Sequence, residues 1–226
     1  MIDFQNITML YEGDDSAALD NLSLKIEKGE FVFLVGKSGA GKSTIIKLLL
    51  KEITPTSGKI FVAGTDISSI KERDLPYYRR NVGIVFQDYR LLETKTVYEN
   101  VAFAMEAIQT SPKTIQRVVP KILNMVGLRD KARKYPSTLA GGEQQRVAIA
   151  RSIVNNPKIL ICDEPTGNLD PITSAGIMNL LSDINRLGTT VLIATHDNTM
   201  VDRMRKRVIS LRNGVLVRDE IGGYYS

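Results

Sequence analysis

Apolar residues in this chain come in two rhythms, short runs or alternations and longer stripes at helical spacing, and the two take turns along its length. From Met1 to Leu10 the pattern alternates loosely, with Ile2, Phe4, Ile7 and Met9 or Leu10 apolar, and Glu12-Gly13-Asp14-Asp15-Ser16 then predicts a turn. Leu22, Leu24 and Ile26 alternate with Ser23 and Lys25, which predicts a half-buried strand stopping at Lys28-Gly29 and, with the first strand, an antiparallel edge layer. Phe31 to Val35 is apolar throughout, as a strand covered on both faces should be, and Ser43 to Leu50 is apolar almost all round, as a buried helix should be. Thr54-Pro55-Thr56-Ser57-Gly58 breaks that helix. Lys59 to Ala63 reads as another strand, and Val82 to Phe86 as a buried strand ending at Gln87.

From Thr96 to Gly142 the rhythm is helical. Val97, Val101, Ala104, Met105 and Ile108 form one stripe, and Ile115, Val118, Val119, Ile122 and Val126 a second, in which Pro120 should kink or restart the helix before Gly127 caps it. Ile159 to Cys162 is again a buried strand. Pro171 opens a helix whose Ile177, Leu180, Leu181, Ile184 and Leu187 share a face closed by Gly188, and Thr190 to Ala194 is a further buried strand. Strands alternating with helices predict an α/β fold with a mostly parallel core sheet and ligand loops at the strands' C-terminal ends. The expected organisation is a single domain over 1–226, with 1–87 and 157–226 forming the α/β core and antiparallel layer and 88–156 an inserted helical subdomain.

Composition narrows this little. With 226 residues, 43% hydrophobic and 24% charged, the chain is ordinary for a globular protein. Its one cysteine, Cys162, rules out an internal disulfide and reads as core. No basic n-region precedes an apolar run at the start, and no run approaches the roughly 18 residues of a membrane span, so neither signal peptide nor spanning helix is predicted. The net charge of +5 is modest, and its one cluster, Arg203 to Arg207, reads as a solvated helix end. No nucleic acid partner is expected.

The chemistry starts at Gly36-Lys37-Ser38-Gly39-Ala40-Gly41-Lys42-Ser43-Thr44, which matches G-x-x-x-x-G-K-[ST] at every fixed position, directly after an apolar strand and before a helix. Its glycines let successive N–H groups turn toward a phosphate chain, and the following helix adds the positive end of its dipole. Lys42 would meet the β- and γ-phosphates and Ser43 would ligate Mg²⁺. Asp163 and Glu164 follow the apolar Ile159–Cys162 run. Asp163 would hold Mg²⁺, directly or through its waters, and Glu164 would polarise the attacking water as general base.

Leu139-Ala140-Gly141-Gly142-Glu143-Gln144-Gln145-Arg146 resembles the LSGGQ signature of ABC-type ATPases. The resemblance covers essentially the whole chain and implies roles for residues already met. Tyr11 would stack on adenine, Gln87 would sense Mg²⁺ and the γ-phosphate, Asp170 would be the D-loop aspartate, and His196 would hydrogen-bond the γ-phosphate. It also implies a homodimer in which Leu139, Ala140, Gly141, Gly142 and Glu143 of one copy meet the nucleotide held by the other, with two ATP molecules sandwiched head to tail.

Ala140 stands where the family signature carries serine, so one hydrogen bond of that composite site should be missing. Gly-Gly-Glu-Gln-Gln-Arg and Asp163 to Asp170, DEPTGNLD, are shared with a subgroup that includes ATPases of lipoprotein release, macrolide efflux and cell division. Val85 to Leu92, Thr96 to Val101, and Arg207 to Gly214 look most like the cell-division members. The implied role is a cytoplasmic, membrane-peripheral ATPase that drives a polytopic membrane partner and regulates peptidoglycan hydrolysis. A transporter ATPase and a nucleotide-dependent scaffold with little hydrolysis are the alternatives.

Overall fold

The computed structural model describes residues 1–13 and 15–222. Asp14, the middle of the predicted first turn, lies outside the described residues.

A four-stranded antiparallel sheet is built from β1 (Ile2–Met9), β2 (Leu19–Ile26), β4 (Ser57–Val62) and β5 (Thr65–Asp66) in the order β2-β1-β4-β5. The loose alternation of the first strand has a local cause: the register shifts between Phe4 and Ile7, where Asn6 is left-handed (φ 51°) and its side-chain amide donates to Asn21 Oδ1 at 3.1 Å. One extra residue at this bulge switches the strand's phase, so Ile2 and Phe4 before it and Ile7 and Met9 after it all reach the core.

The second sheet holds β3 (Phe31–Val35), β6 (Val82–Val85), β7 (Ile159–Asp163), β8 (Thr190–Thr195), β9 (Arg207–Arg212) and β10 (Val215–Ile221), in the order β10-β9-β3-β8-β7-β6. All its pairings are parallel except β9 with β10. Because side chains alternate along a strand, the buried runs read at the outset as continuous divide between two cores. Phe31, Phe33 and Val35 join Leu160, Cys162, Val191 and Ile193 on one face, while Val32 and Leu34 join Ile159, Ile161, Leu192 and Ala194 on the other. The first face is covered by α3 (Val97–Glu106), α4 (Pro112–Met125), α5 (Gly141–Ile153), α6 (Pro171–Arg186) and α7 (Asn198–Met204). The second is covered by α1 (Lys42–Leu49), α2 (Leu75–Arg79) and the antiparallel sheet. Among the described residues no helix is long and apolar enough to cross a membrane.

Sequence and structure differ in three places. Helix α4 runs unbroken through Pro120, because Pro120 and Gln116, whose carbonyl loses its bond, both lie on the exposed face where water can serve that carbonyl. Leu187 is 73% exposed and leaves the stripe of α6, since it is already the cap residue and Gly188 turns the chain away at φ 103°. The hairpin of β9 and β10 was not predicted at all, although Asn213-Gly214 between alternating residues is a strong hairpin signal. Gly127 follows the end of α4 as expected, with its N–H on Asn124 O at 3.1 Å and that of Leu128 on Leu123 O at 2.8 Å.

Candidate nucleotide site and signature helix

The C-terminal ends of β3, β6, β7 and β8 lie side by side, and the loops that leave them enclose a cavity of about 960 Å³. It is lined by Tyr11, the loop from Lys37 to Thr44, Gln87, Asp163, Glu164 and His196. Gly36 is the hinge beneath that loop rather than part of the lining. Its carbonyl accepts the Lys42 ammonium at 2.6 Å, and Lys37 O accepts it at 3.3 Å, so the cation is folded over the loop's own backbone. Gly41 begins α1 at φ 107°, with the Ala18 carbonyl 2.8 Å from where a Cβ would stand, so geometry and space both demand glycine there. No side chain caps α1 and no acidic residue stands in its first turn, which leaves that end of the helix electropositive. Tyr11 is held at the cavity through its hydroxyl, 3.3 Å from Thr44 Oγ1.

Asp163 ends β7 beside this cation. Burial, and then the neighbouring Glu164 charge, push its carboxyl above the usual range, while Lys42 and Arg90 pull it back. A divalent ion would remove that penalty. Among the described residues there is no cluster of three His, Cys, Asp or Glu that could hold a metal alone. Ser43, Gln87 and Asp163 converge on the cavity as sparse oxygen donors, which fits Mg²⁺ held with substrate phosphates and water.

Glu164 is the first residue beyond β7 and is left-handed (φ 47°). Its side chain is only 13% exposed, and both carboxylate oxygens are held: Oε1 lies 2.7 Å from His196 Nδ1 and Oε2 accepts Thr195 Oγ1–H at 3.1 Å. The carboxylate is thus oriented by the end of β8. His196, expected on phosphate, stands on Glu164 here, with its side chain 71% exposed.

The signature residues lie apart from this cavity. Ala140 is the extended cap residue of α5 and offers no side-chain bond. Glu143 Oε2 accepts the Ala140 N–H at 3.1 Å and its other oxygen pairs with Lys131, so this carboxylate, expected to contact nucleotide, serves its own helix. The Lys131 bond chiefly holds its pKa below the usual range. A Cβ on Gly142 would lie 2.2 Å from Thr173 Cγ2, so the Thr173 methyl of α6 leaves no room for a side chain on α5 there. Leu139 is nearly buried. Asp170 caps α6, accepting the N–H groups of Ile172 and Thr173 at 3.0 Å each. The Tyr89 hydroxyl lies 3.4 Å from where a Cβ of Gly141 would be.

The cavity also has walls that no motif announced, namely Ser16, Ala17 and Ala18 before β2 and Asn213 in the β9–β10 turn. The turn is fastened to the loop, with Gly214 N–H donating to Ala40 O at 3.2 Å and Gly214 O accepting from Asp20 N–H at 3.0 Å.

Fold and site together define a phosphate-loop nucleotide-hydrolysing cassette. A family model described as ABC transporter matches residues 19–167. The cell division ATP-binding protein FtsE of Mycobacterium tuberculosis is 55% identical over 225 residues, covering 100% of this chain and 98% of the relative, and that of Bacillus subtilis is 51% identical with the same coverage. Among solved structures, the dimeric post-hydrolysis state of the ATP-binding cassette MJ0796 bound to ADP and Pi has a TM-score of 0.87 at 35% identity, covering 98% of both chains. The chain belongs to the ABC transporter family of ATPases and, within it, to the FtsE cell-division ATP-binding proteins.

Proposed function

We propose that this chain is the ATP-hydrolysing subunit of a cell-division complex, working as a homodimer around two ATP at the cytoplasmic face of the bacterial membrane. Its partner is a polytopic membrane protein of the FtsX type, through which closure and reopening of the dimer regulate peptidoglycan hydrolysis. In each half, Lys42 and the loop N–H groups hold the phosphates, Tyr11 takes the adenine, and Ser43, Asp163 and Gln87 would hold Mg²⁺, which neutralises phosphate charge when bound. Glu164 orients the attacking water and takes its proton, and His196 holds the carboxylate for that task. The start of α5, with Gly141 and Gly142, completes the site of the second copy, joined by Asp170 at the start of α6.

The observation that carries this reading is the pairing of a fully oriented carboxylate with a phosphate loop in one cavity, while the signature helix opens elsewhere on the same chain. A cassette with two half-sites that do not meet is complete only as a dimer. The resemblance of the whole chain to the MJ0796 dimer supports this, and so do FtsE relatives matched along their length. The test is to trap the complex in native membranes with ATP and the Glu164→Gln substitution, purify it, and identify the bound protein. A co-purifying membrane protein with few spans and a large extracellular loop supports division. A multispan permease in its place would reassign the chain to transport.

A further inference from the structure

We propose that Gln145 and Arg151 are positioning residues through which helix α5 sets the two loops that carry Glu164 and Gln87. Both loops contain residues that a backbone seldom tolerates without glycine: Glu164 in one (φ 47°), Tyr89 and Arg90 in the other (φ 57° and 48°). Something outside each loop must hold it there, and in both cases a donor comes from α5. Gln145 is fully buried and gives its Nε2–H to Pro165 O at 2.8 Å, one residue past Glu164. Arg151, half-buried, gives one Nη–H to Arg90 O at 2.6 Å and another to Tyr89 O at 2.9 Å, three and two residues past Gln87.

Gln145 is the more telling of the two. Its Oε1 is buried with no hydrogen-bond partner among the described residues, a cost that an apolar side chain of the same shape would avoid. An amide is retained for its donor, and that donor goes only to the turn of the catalytic carboxylate. The inference rests on the proposed reading of Glu164 as base and of the start of α5 as the part that meets a second copy. On that reading one rigid helix touches the neighbour's nucleotide at its first turn and holds both of its own chain's catalytic loops further along. Engagement at one site then adjusts the groups that act at the other, as a coupling between sites requires.

The test compares Gln145→Met, which keeps volume and loses the donor, with Gln145→His, which restores an N–H of similar reach. Misplacing a reacting group by about 1 Å costs on the order of 10²-fold. Gln145→Met is therefore expected to lower kcat by about tenfold or more, with ATP affinity of the isolated chain within about twofold of wild type, and Gln145→His to recover part of the loss. Should Gln145→Met not fold, Arg151→Met against Arg151→Lys carries the same comparison at a less buried position. A kcat within twofold of wild type, or a parallel loss of kcat and ATP affinity with no recovery in the conservative variants, overturns the proposal. A wild-type chain that binds ATP and never turns it over overturns the underlying reading instead, and the proposal falls with it.

Discussion

Two helices in this protein begin where the proposed reading places phosphate, and they are built in opposite ways. At α1 the loop from Gly36 to Gly41 precedes the helix, Lys42 is its first residue, and neither a capping side chain nor a carboxylate competes for its end. At α5 the cap residue is an alanine, and Glu143 already occupies the end of the helix and is itself neutralised by Lys131. The first is an open electropositive cradle, while the second has spent much of its field on its own carboxylate. On the proposed reading the difference gives them unequal work: α1 would capture the nucleotide, and α5 would make a weaker contact that forms and breaks as copies associate. A weak second contact suits a machine that must reopen after each turnover.

Removing the cation from the strong helix should have the largest effect. Lys42→Ala takes away the group that spans the loop to Gly36 O and would meet the phosphates, so ATP binding is expected to become weak and turnover undetectable. Near-normal affinity by calorimetry would show that the loop N–H groups suffice alone. Next comes Glu164→Gln, which preserves shape and the contacts to His196 and Thr195 while removing the base. General-base contributions run to about 10²- to 10⁴-fold, so hydrolysis should fall by that order while ATP still binds and the dimer accumulates. Hydrolysis within a few-fold of wild type in single-turnover measurements would exclude Glu164 as base.

The same contrast explains what the sequence disclosed. The phosphate loop was legible because every residue it needs is contiguous, and the strand and helix around it announce themselves by burial. The pairing of Glu164 with His196 was legible in its members but not in its geometry, since β7 and β8 must lie side by side before residues 32 apart can touch. The bond of Glu143 to Lys131 went unseen for a related reason: the two lie 12 residues apart and Lys131 belongs to no motif. Asn213 went unseen at the cavity because the β9–β10 hairpin that carries it was not recognised, and hairpin chemistry says nothing of what the turn faces. No restart follows Pro120, because the cost of proline depends on whether the freed carbonyl is wet, which periodicity does not record.

The weak helix can be broken without touching the strong one. A methyl at Gly142 would overlap Thr173 Cγ2, and such overpacking costs about 1–3 kcal/mol. Gly142→Ala is expected to lower the melting temperature and abolish ATP-dependent dimerisation while leaving the ATP affinity of the monomer unchanged. In the Gly142→Ala/Thr173→Ala pair the next atom, Thr173 Cβ, stands at 3.6 Å, an ordinary contact, so the double variant should regain much of both. If it does not, Gly142 is needed for close approach of the partner and not for packing on α6.

The smallest and most informative change is Ala140→Ser, which strengthens the weak helix instead of breaking it. A serine at this cap position would satisfy a first-turn N–H, worth typically about 1 kcal/mol, beside the Ala140 N–H that Glu143 already meets. Its hydroxyl would also offer a donor to the partner's nucleotide, and a net hydrogen bond of about 0.5–1.5 kcal/mol corresponds to at most roughly a tenfold gain in association for each of the two composite sites. On the proposed reading part of that gain would already be met by the Tyr89 hydroxyl, which stands at the first turn of α5 beside Gly141. Ala140→Ser in the Glu164→Gln background is therefore expected to tighten the ATP-dependent dimer by several-fold, and by more when Tyr89→Phe removes the competing hydroxyl. Sedimentation with ATP and Mg²⁺ measures both. A dimer constant unmoved by the serine in either background would mean that α5 meets its partner through backbone N–H groups alone, and that the alanine costs this protein nothing.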